Sequence, residues 1–480
     1  MLQTRINLAG FLILLAHLAM TLVSLPQAAT LWDGEFAPRT HEFFARLADA
    51  VPGFPLKTLF ENNRAVVIWH LVPMTVATAA ALALWLRLAR SPDEANDRSV
   101  VLMLRWAIAF AVVSFFAFPV FTQDFWLSAA WGRMIAQGHN PYYVDMIDEA
   151  TTGMPLDHFA MRMPYAPLWG WASALIMLVS GESALVAGTI FKAVLTVAWI
   201  ATVLIVERLT RNDGPLARCV ALLLIGWLPV SVGQAVAEAH NDVAMVALMM
   251  LWWLLLRKGA GWLGSTALAA SAVCKYVSVS LFLVDAIHAL RVERLSLWRY
   301  ALRLVVPGLV IMGAMLPFVR DHEFMDGIRM IGSWQFMHLR DTFGLLGRLA
   351  GLPLEFLAIA AQLVFAGTAL YYLVQSFRAP SVEVLNRTLV AVMAFMLFAA
   401  SPHLWAWYLI WVLPLAALVP HWWLSRFVIG AALIAPFIVG FWWVDEIEGH
   451  KDAAALLLHG GALAWTIATH RLASPRVQRA

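Results

Sequence analysis

Asp124 lies in Phe121-Thr122-Gln123-Asp124-Phe125-Trp126, directly behind a long apolar run, so a carboxylate is held among aromatic groups at the edge of low dielectric. An acid so placed can take the proton of a hydroxyl as that oxygen attacks a carbon centre. It can equally cap the amphipathic helix that the pattern predicts over residues 125–137, because Asp is a favoured N-cap. Two cations complement it. Lys275, in Cys274-Lys275-Tyr276 within an apolar stretch, needs an anion or water nearby. Arg162, just ahead of Met163-Pro164-Tyr165-Ala166-Pro167, could clamp a lipid phosphate at headgroup height, although interfacial arginines commonly snorkel to ordinary phospholipid. Lys192, inside a predicted span, makes the same demand as Lys275.

Other candidates are softer. Gly138-His139-Asn140-Pro141-Tyr142-Tyr143 is a turn whose tyrosines could stack on a sugar, but Gly and Asn-Pro also simply stop a helix. Glu238 and His240-Asn241-Asp242 sit at a helix boundary, where Asp242 could cap the next helix or orient a ligand. They do not read as a zinc site, since no second His or Cys follows at ligand spacing. No P-loop, nucleophile elbow, Rossmann fingerprint or catalytic Cys/His pairing is present, so phosphoryl transfer from a nucleotide is not supported.

The elements that must position these groups are membrane helices. Hydrophobic residues make up 62% of the 480 and charged residues 13%, where a soluble domain carries about a quarter charged. The 23 tryptophans suit lipid-facing bulk and interfacial anchoring. The net charge of +3 resides in arginines of short connectors, which reads as topology and argues against a nucleic-acid partner. Cys219 and Cys274 fall inside apolar runs and imply packing, with no disulfide framework.

Spans over 6–25, 65–88 and 99–121, the first a retained helix in preference to a cleaved signal peptide, put Arg87, Arg90, Arg98 and Arg105 inside. The basic tail with Arg471, Arg476 and Arg479 should be inside too. Leu168–Gly181 covers only about 21 Å as a helix, short of the hydrocarbon thickness. Treating it as re-entrant or interfacial keeps Arg208, Arg211 and Arg218 inside. Residues 262–290 have basic flanks on both sides, so two short helices turning near Lys275 are expected. Later spans near 300–319, 354–376, 386–400, 405–420, 426–444 and 453–468 bring the total to about 14. The expected fold is therefore an all-α polytopic transmembrane bundle. Its unusual polar groups gather on the outer side: Asp124, Glu238 to Asp242, Lys275, the 320–341 loop and Ser401-Pro402-His403.

Asp124 to Gly132, then Gly138-His139-Asn140-Pro141-Tyr142, then Tyr165-Ala166-Pro167-Leu168 opening a short helix, resembles the first outer loop of GT-C superfamily glycosyltransferases. The likeness is greatest to bacterial polyprenol-phosphate-mannose-dependent mannosyltransferases. His240-Asn241-Asp242 and the run from Ser401 to Pro414, with His403, Trp407 and Tyr408, are similar to further marks of that group. These signals cover residues 99–480, with residues 1–98 contributing two preceding helices and an outer loop.

The resemblance implies transfer of a sugar, mannose or another hexose, from a polyprenyl-phosphate carrier to a glycan or lipid hydroxyl, with inversion. The site would face outward from a bacterial inner membrane and need no cofactor or metal. Asp124 would match the catalytic base, with Arg162 and Lys275 offsetting the leaving phosphate. Tyr142, Tyr165, His240, Asn241, Asp242, His403, Trp407 and Tyr408 would hold or orient substrates. A transporter or lipid flippase is the main rival, because broken helices and intramembrane charges also mark transport pathways. A non-catalytic glycan-binding subunit is a third reading.

Overall fold

The computed structural model describes residues 2–31, 63–119, 122, 124–151, 154, 161–181, 183–334, 336–439 and 450–470. Most of the expected first outer segment, Gln123 and the basic tail with Arg471, Arg476 and Arg479 lie outside the described residues. Every named element is helical: α1 Leu2–Leu31, α2 Asn63–Arg90, α3 Asp97–Phe115, α4 Asp124–Ala136, α5 Pro167–Ser180, α6 Ala184–Leu209, α7 Gly214–Leu222, α8 Asp242–Arg257 and α9 Gly261–Cys274. They continue with α10 Phe282–Ile287, α11 Leu297–Arg303, α12 Val305–Met315, α13 Asp326–Ser333, α14 Leu339–Ala350, α15 Phe356–Arg378, α16 Val382–Phe395, α17 Trp423–Val439 and α18 His450–His470. Their starts are set by polar caps where the chain leaves an apolar run. Asn96 accepts from the Ser99 amide ahead of α3, and Ser183 from the Val186 amide ahead of α6.

Seven helical stretches among the described residues are long and apolar enough to cross a membrane: Leu2–Ser24, His70–Arg90, Asp97–Phe115, Leu185–Leu209, Leu297–Met315, Phe356–Arg378 and Val382–Ala400. An eighth results if Arg211–Trp227 and Pro229–Ala237, bent by 49°, are one span. The chain is a polytopic helical membrane protein. The count falls below the expected 14 because several expected spans are short or broken. The 405–420 segment is a 3₁₀ turn, Ala406–Trp411, followed by four residues of α-helix, and α9 has only 14 residues.

Ion pairs fix which ends lie together. Arg218, at the start of α7, pairs with Glu207 at the end of α6 and, at 2.5 Å, with Asp97 at the start of α3. At the opposite end of α3, Lys192 near the start of α6 donates to the carbonyls of Ala117 (2.5 Å) and Ala237 (2.8 Å). Its buried ammonium is thus satisfied by oxygens left free where helical segments terminate. α3 and α6 therefore run antiparallel, and α5 lies between them in sequence without reversing that relation.

The hairpin expected around Lys275 is present. Ser271 Oγ meets Ser278 Oγ at 3.0 Å near the tip, and Ser265 Oγ meets Asp285 at 2.7 Å further down. Asp285 also accepts from Trp252 Nε1 (2.9 Å), the Tyr300 hydroxyl (3.1 Å) and Arg303 (3.2 Å). A buried carboxylate so fully paired anchors the base of the hairpin and leaves Lys275 extended at its apex.

Candidate active site

Three helical segments are interrupted at one end of the bundle, and each interruption delivers a polar residue, the first being Lys275 itself between α9 and the 3₁₀ turn Tyr276–Leu281. The π-turn Gly233–Ala237 is followed by Glu238 and by Ala239, whose φ of +54° lies in the left-handed region, and the chain then presents His240 and Asp242. A second π-turn, Met396–Ala400, ends α16 and is followed by Ser401 and His403. Such turns inside helices often mark functional positions, because they shift the register of the side chains that follow. His403 is held by a single bridge to Phe336, whose carbonyl accepts from the Leu404 amide (3.2 Å).

Asp242 and Lys275 form the centre. The Asp242 carboxylate is fully buried, lies 2.5 Å from Lys275 Nζ, and accepts from Trp411 Nε1. Asp242 opens α8 but does not cap it with its side chain, so the charge is held for Lys275. The ammonium stands over the rings of Tyr408 (4.8 Å), Trp411 (5.1 Å) and Tyr165 (5.4 Å), an aromatic cage that stabilises a partly desolvated cation.

Asp124 adjoins this centre as the first residue of α4 and is 27% exposed, so it can be reached by a substrate. Its Oδ2 lies 3.6 Å from His240 Nδ1. Burial pushes the Asp124 carboxyl up, but His240, the Lys275 charge and the Tyr165 hydroxyl outweigh it and hold the group below the ordinary carboxylate value. The carboxylate is therefore ionised at neutral pH, the form that accepts a proton. Burial first, then the neighbouring carboxylates, drives the Tyr165 and Tyr408 phenols well above their ordinary value, so both remain hydroxyl donors.

An aromatic wall closes the other side. His240 stacks on Trp407 (4.2 Å, 14°), Trp407 on Trp405 (4.5 Å, 12°), and Tyr408 on Trp411 (4.1 Å, 24°). The Tyr408 hydroxyl is 3.2 Å from His403 Nε2. Asn241 is buried beside His240 with both amide atoms unpaired among the described residues. Trp411, which ties the 401–414 run to Asp242, was not singled out by the sequence. A tryptophan in that run is indistinguishable from an interfacial anchor until the 3₁₀ turn places it.

Asp124, Tyr165, His240, Asp242, Lys275, His403, Trp407 and Tyr408 thus converge. Tyr142 and Arg162 stand apart and act on Tyr165. Tyr142 is buried against Phe324 (4.5 Å) and donates to the Tyr165 carbonyl at 2.7 Å, so its ring is core and its hydroxyl is already used. Arg162 meets Asp326 (2.9 Å), Glu323 (3.4 Å) and Asp145 (3.7 Å), which pins residues 161–165 to the segment 322–333. Gly327 permits that contact, since a Cβ there would lie 2.6 Å from the Met163 carbonyl oxygen. Gly132 does the same for the crossing of α4 and α5, where a Cβ would fall 2.6 Å from the Ser173 backbone.

Among the described residues no three His, Cys, Asp or Glu side chains come together as a cation-binding group. A small cavity of about 40 Å³ lies between α1, α2, α3 and the first π-turn, bordered by Ala237 and Glu238. The converging charges and rings identify the chemistry better than cavity size does.

Comparison with known proteins identifies sequence relatives of the chain. A stretch of 209 residues, 42% of this chain, is 27% identical to a probable alpha-(1->6)-mannopyranosyltransferase from Mycolicibacterium smegmatis. The match spans only 36% of that relative's length. The model of the alpha-(1->6)-mannopyranosyltransferase family, N-terminal domain, matches residues 44–291, which takes in α2 as well as Asp124, Tyr165, His240, Asp242 and Lys275. That match covers more than half of the 480 residues, and the chain belongs to the alpha-(1->6)-mannopyranosyltransferase family.

Proposed function

We propose that the protein transfers a mannosyl residue from a polyprenyl-phosphate carrier to an acceptor hydroxyl at the outer membrane–water boundary, inverting the anomeric carbon. The observation that carries this reading is the reachable, ionised Asp124 beside a caged Lys275. Asp124 takes the hydroxyl proton as the acceptor oxygen bonds to the anomeric carbon in line with the departing phosphate oxygen. The carrier leaves as a phosphate monoester, already an anion, so it needs a cation more than a general acid, and Lys275 supplies one. Arg162, paired with three carboxylates, serves the site by seating Tyr165. The tryptophan faces at 405, 407 and 411 suit a sugar ring or an isoprenoid chain.

In the same reading α5 is a re-entrant or interfacial helix, and the site faces the periplasm of a bacterial inner membrane. The Arg218–Asp97 pair supports this, since it keeps the 208–218 connector at the same end as the arginine-rich one at 87–98. Cysteine labelling at Asn212 should then succeed only from inside, and labelling from outside contradicts the topology.

The test of function is reconstitution in liposomes with radiolabelled polyprenyl-phosphate mannose and an α-mannoside acceptor. Labelled acceptor should form with the lipid donor and not with a mannose nucleotide alone. Donor that crosses the bilayer with no sugar transferred would favour the transporter reading suggested by the three broken helices.

A further inference from the structure

His240 has no evident reason to be buried unless it serves Asp124. Its side chain is fully buried, yet neither ring nitrogen hydrogen-bonds to another described residue. Buried structural histidines ordinarily find such partners. Two features fix it instead. The ring lies flat on Trp407, itself flat on Trp405, and the backbone approaches through Ala239 in a left-handed conformation that costs about 1 kcal/mol or more in a residue with a Cβ. Both constraints aim Nδ1 at Asp124 Oδ2, 3.6 Å away.

Resting on the assignment of Asp124 as base, we propose that His240 is a positioning residue: an imidazole clamped on Trp407 that orients the Asp124 carboxylate toward the acceptor. The groups whose charge or hydroxyl bears on Asp124 are His240 just ahead of α8, Lys275 with its partner Asp242, Tyr165 ahead of α5, and His403 and Tyr408 from the 401–411 run. Of these, His240 has ring nitrogens with no hydrogen-bond partner among the described residues, and one of them lies 3.6 Å from the Asp124 carboxylate. Lys275 is committed to Asp242, and His403 to Tyr408. Burial acts on Asp124 in the opposite direction, so removal of His240 leaves burial less opposed.

The experiment measures transfer by the full-length protein in liposomes from pH 3 to 8, with polyprenyl-phosphate mannose as donor. It compares the wild type with His240→Phe, His240→Gln and Asp124→Asn. Asp124→Asn should lose about 100-fold or more at every pH. His240→Phe should lower kcat, leave donor KM within about twofold, and move the acidic limb of the profile up by about one pH unit. His240→Gln retains an N–H donor and should recover part of that shift; it carries the test alone if the Phe variant fails to fold. An unmoved acidic limb, with Asp124→Asn inactive, overturns the role of His240 and leaves the base intact. A fully active Asp124→Asn overturns the base itself.

Discussion

Replacing Lys275 with Met keeps the length of the side chain and removes its charge. Asp242, with no exposure, would then retain only the Trp411 hydrogen bond. At 2.5 Å and an effective dielectric of about 20, the pair's Coulomb attraction is about 7 kcal/mol. Desolvation of both ions offsets much of this, and removing one partner of a buried pair typically costs about 3–5 kcal/mol. Loss of the contacts with three rings adds to the same side. Lys275→Met should therefore destabilise by about 3–5 kcal/mol, while Lys275→Met/Asp242→Asn, which leaves no buried charge, should recover at least about 2 kcal/mol of that. Unfolding in mixed SDS micelles, followed by tryptophan fluorescence for the wild type, both single variants and the double variant, gives the coupling directly. Single-variant losses below about 1 kcal/mol, or strictly additive ones, would refute the reasoning. If Lys275 also offsets the leaving phosphate, the restabilised double variant should still transfer sugar about 100-fold more slowly than wild type.

Ala239→Gly should raise the midpoint of thermal unfolding by relieving about 1 kcal/mol of left-handed strain, whereas Ala239→Val should lower it. Arg162→Ala should cost no more than about 1 kcal/mol and become nearly silent at high salt, because its three carboxylate partners are partly exposed; an increase in donor KM larger than tenfold would instead point to direct phosphate contact. Burial, with the Lys275 charge added, lowers the His403 pKa from 6.5 to about 4. Between those values the unfolded chain binds the proton more tightly, so stability falls as pH drops through that window. His403→Gln should flatten that part of the profile, and an unchanged slope would contradict it.

Lone charges in apolar runs were legible from sequence because the bilayer gives them few explanations. Asp124 and Lys275 stood out for that reason, and the hairpin followed from basic flanks on both sides of one apolar stretch. Contacts set by distant segments were not legible. Arg162 looks like a phosphate clamp until Glu323 and Asp326 arrive from more than 160 residues away. Tyr142 and Tyr165 are equivalent as sugar platforms until one hydroxyl is found on the other's carbonyl. The π-turns at 233–237 and 396–400 leave no periodic signal distinct from an α-helix, so the delivery of His240 and His403 to one place could not be read. The span count suffered likewise, because apolar length does not reveal a chain that breaks into 3₁₀ turns at 276–281 and 406–411.

The most direct test of the central claim is single-turnover transfer from polyprenyl-phosphate mannose by Asp124→Asn beside the wild type, with donor binding measured on the same preparations. Loss of about 100- to 10,000-fold in rate, with donor affinity unchanged, is the result expected of a general base. Transfer at the wild-type rate would contradict it.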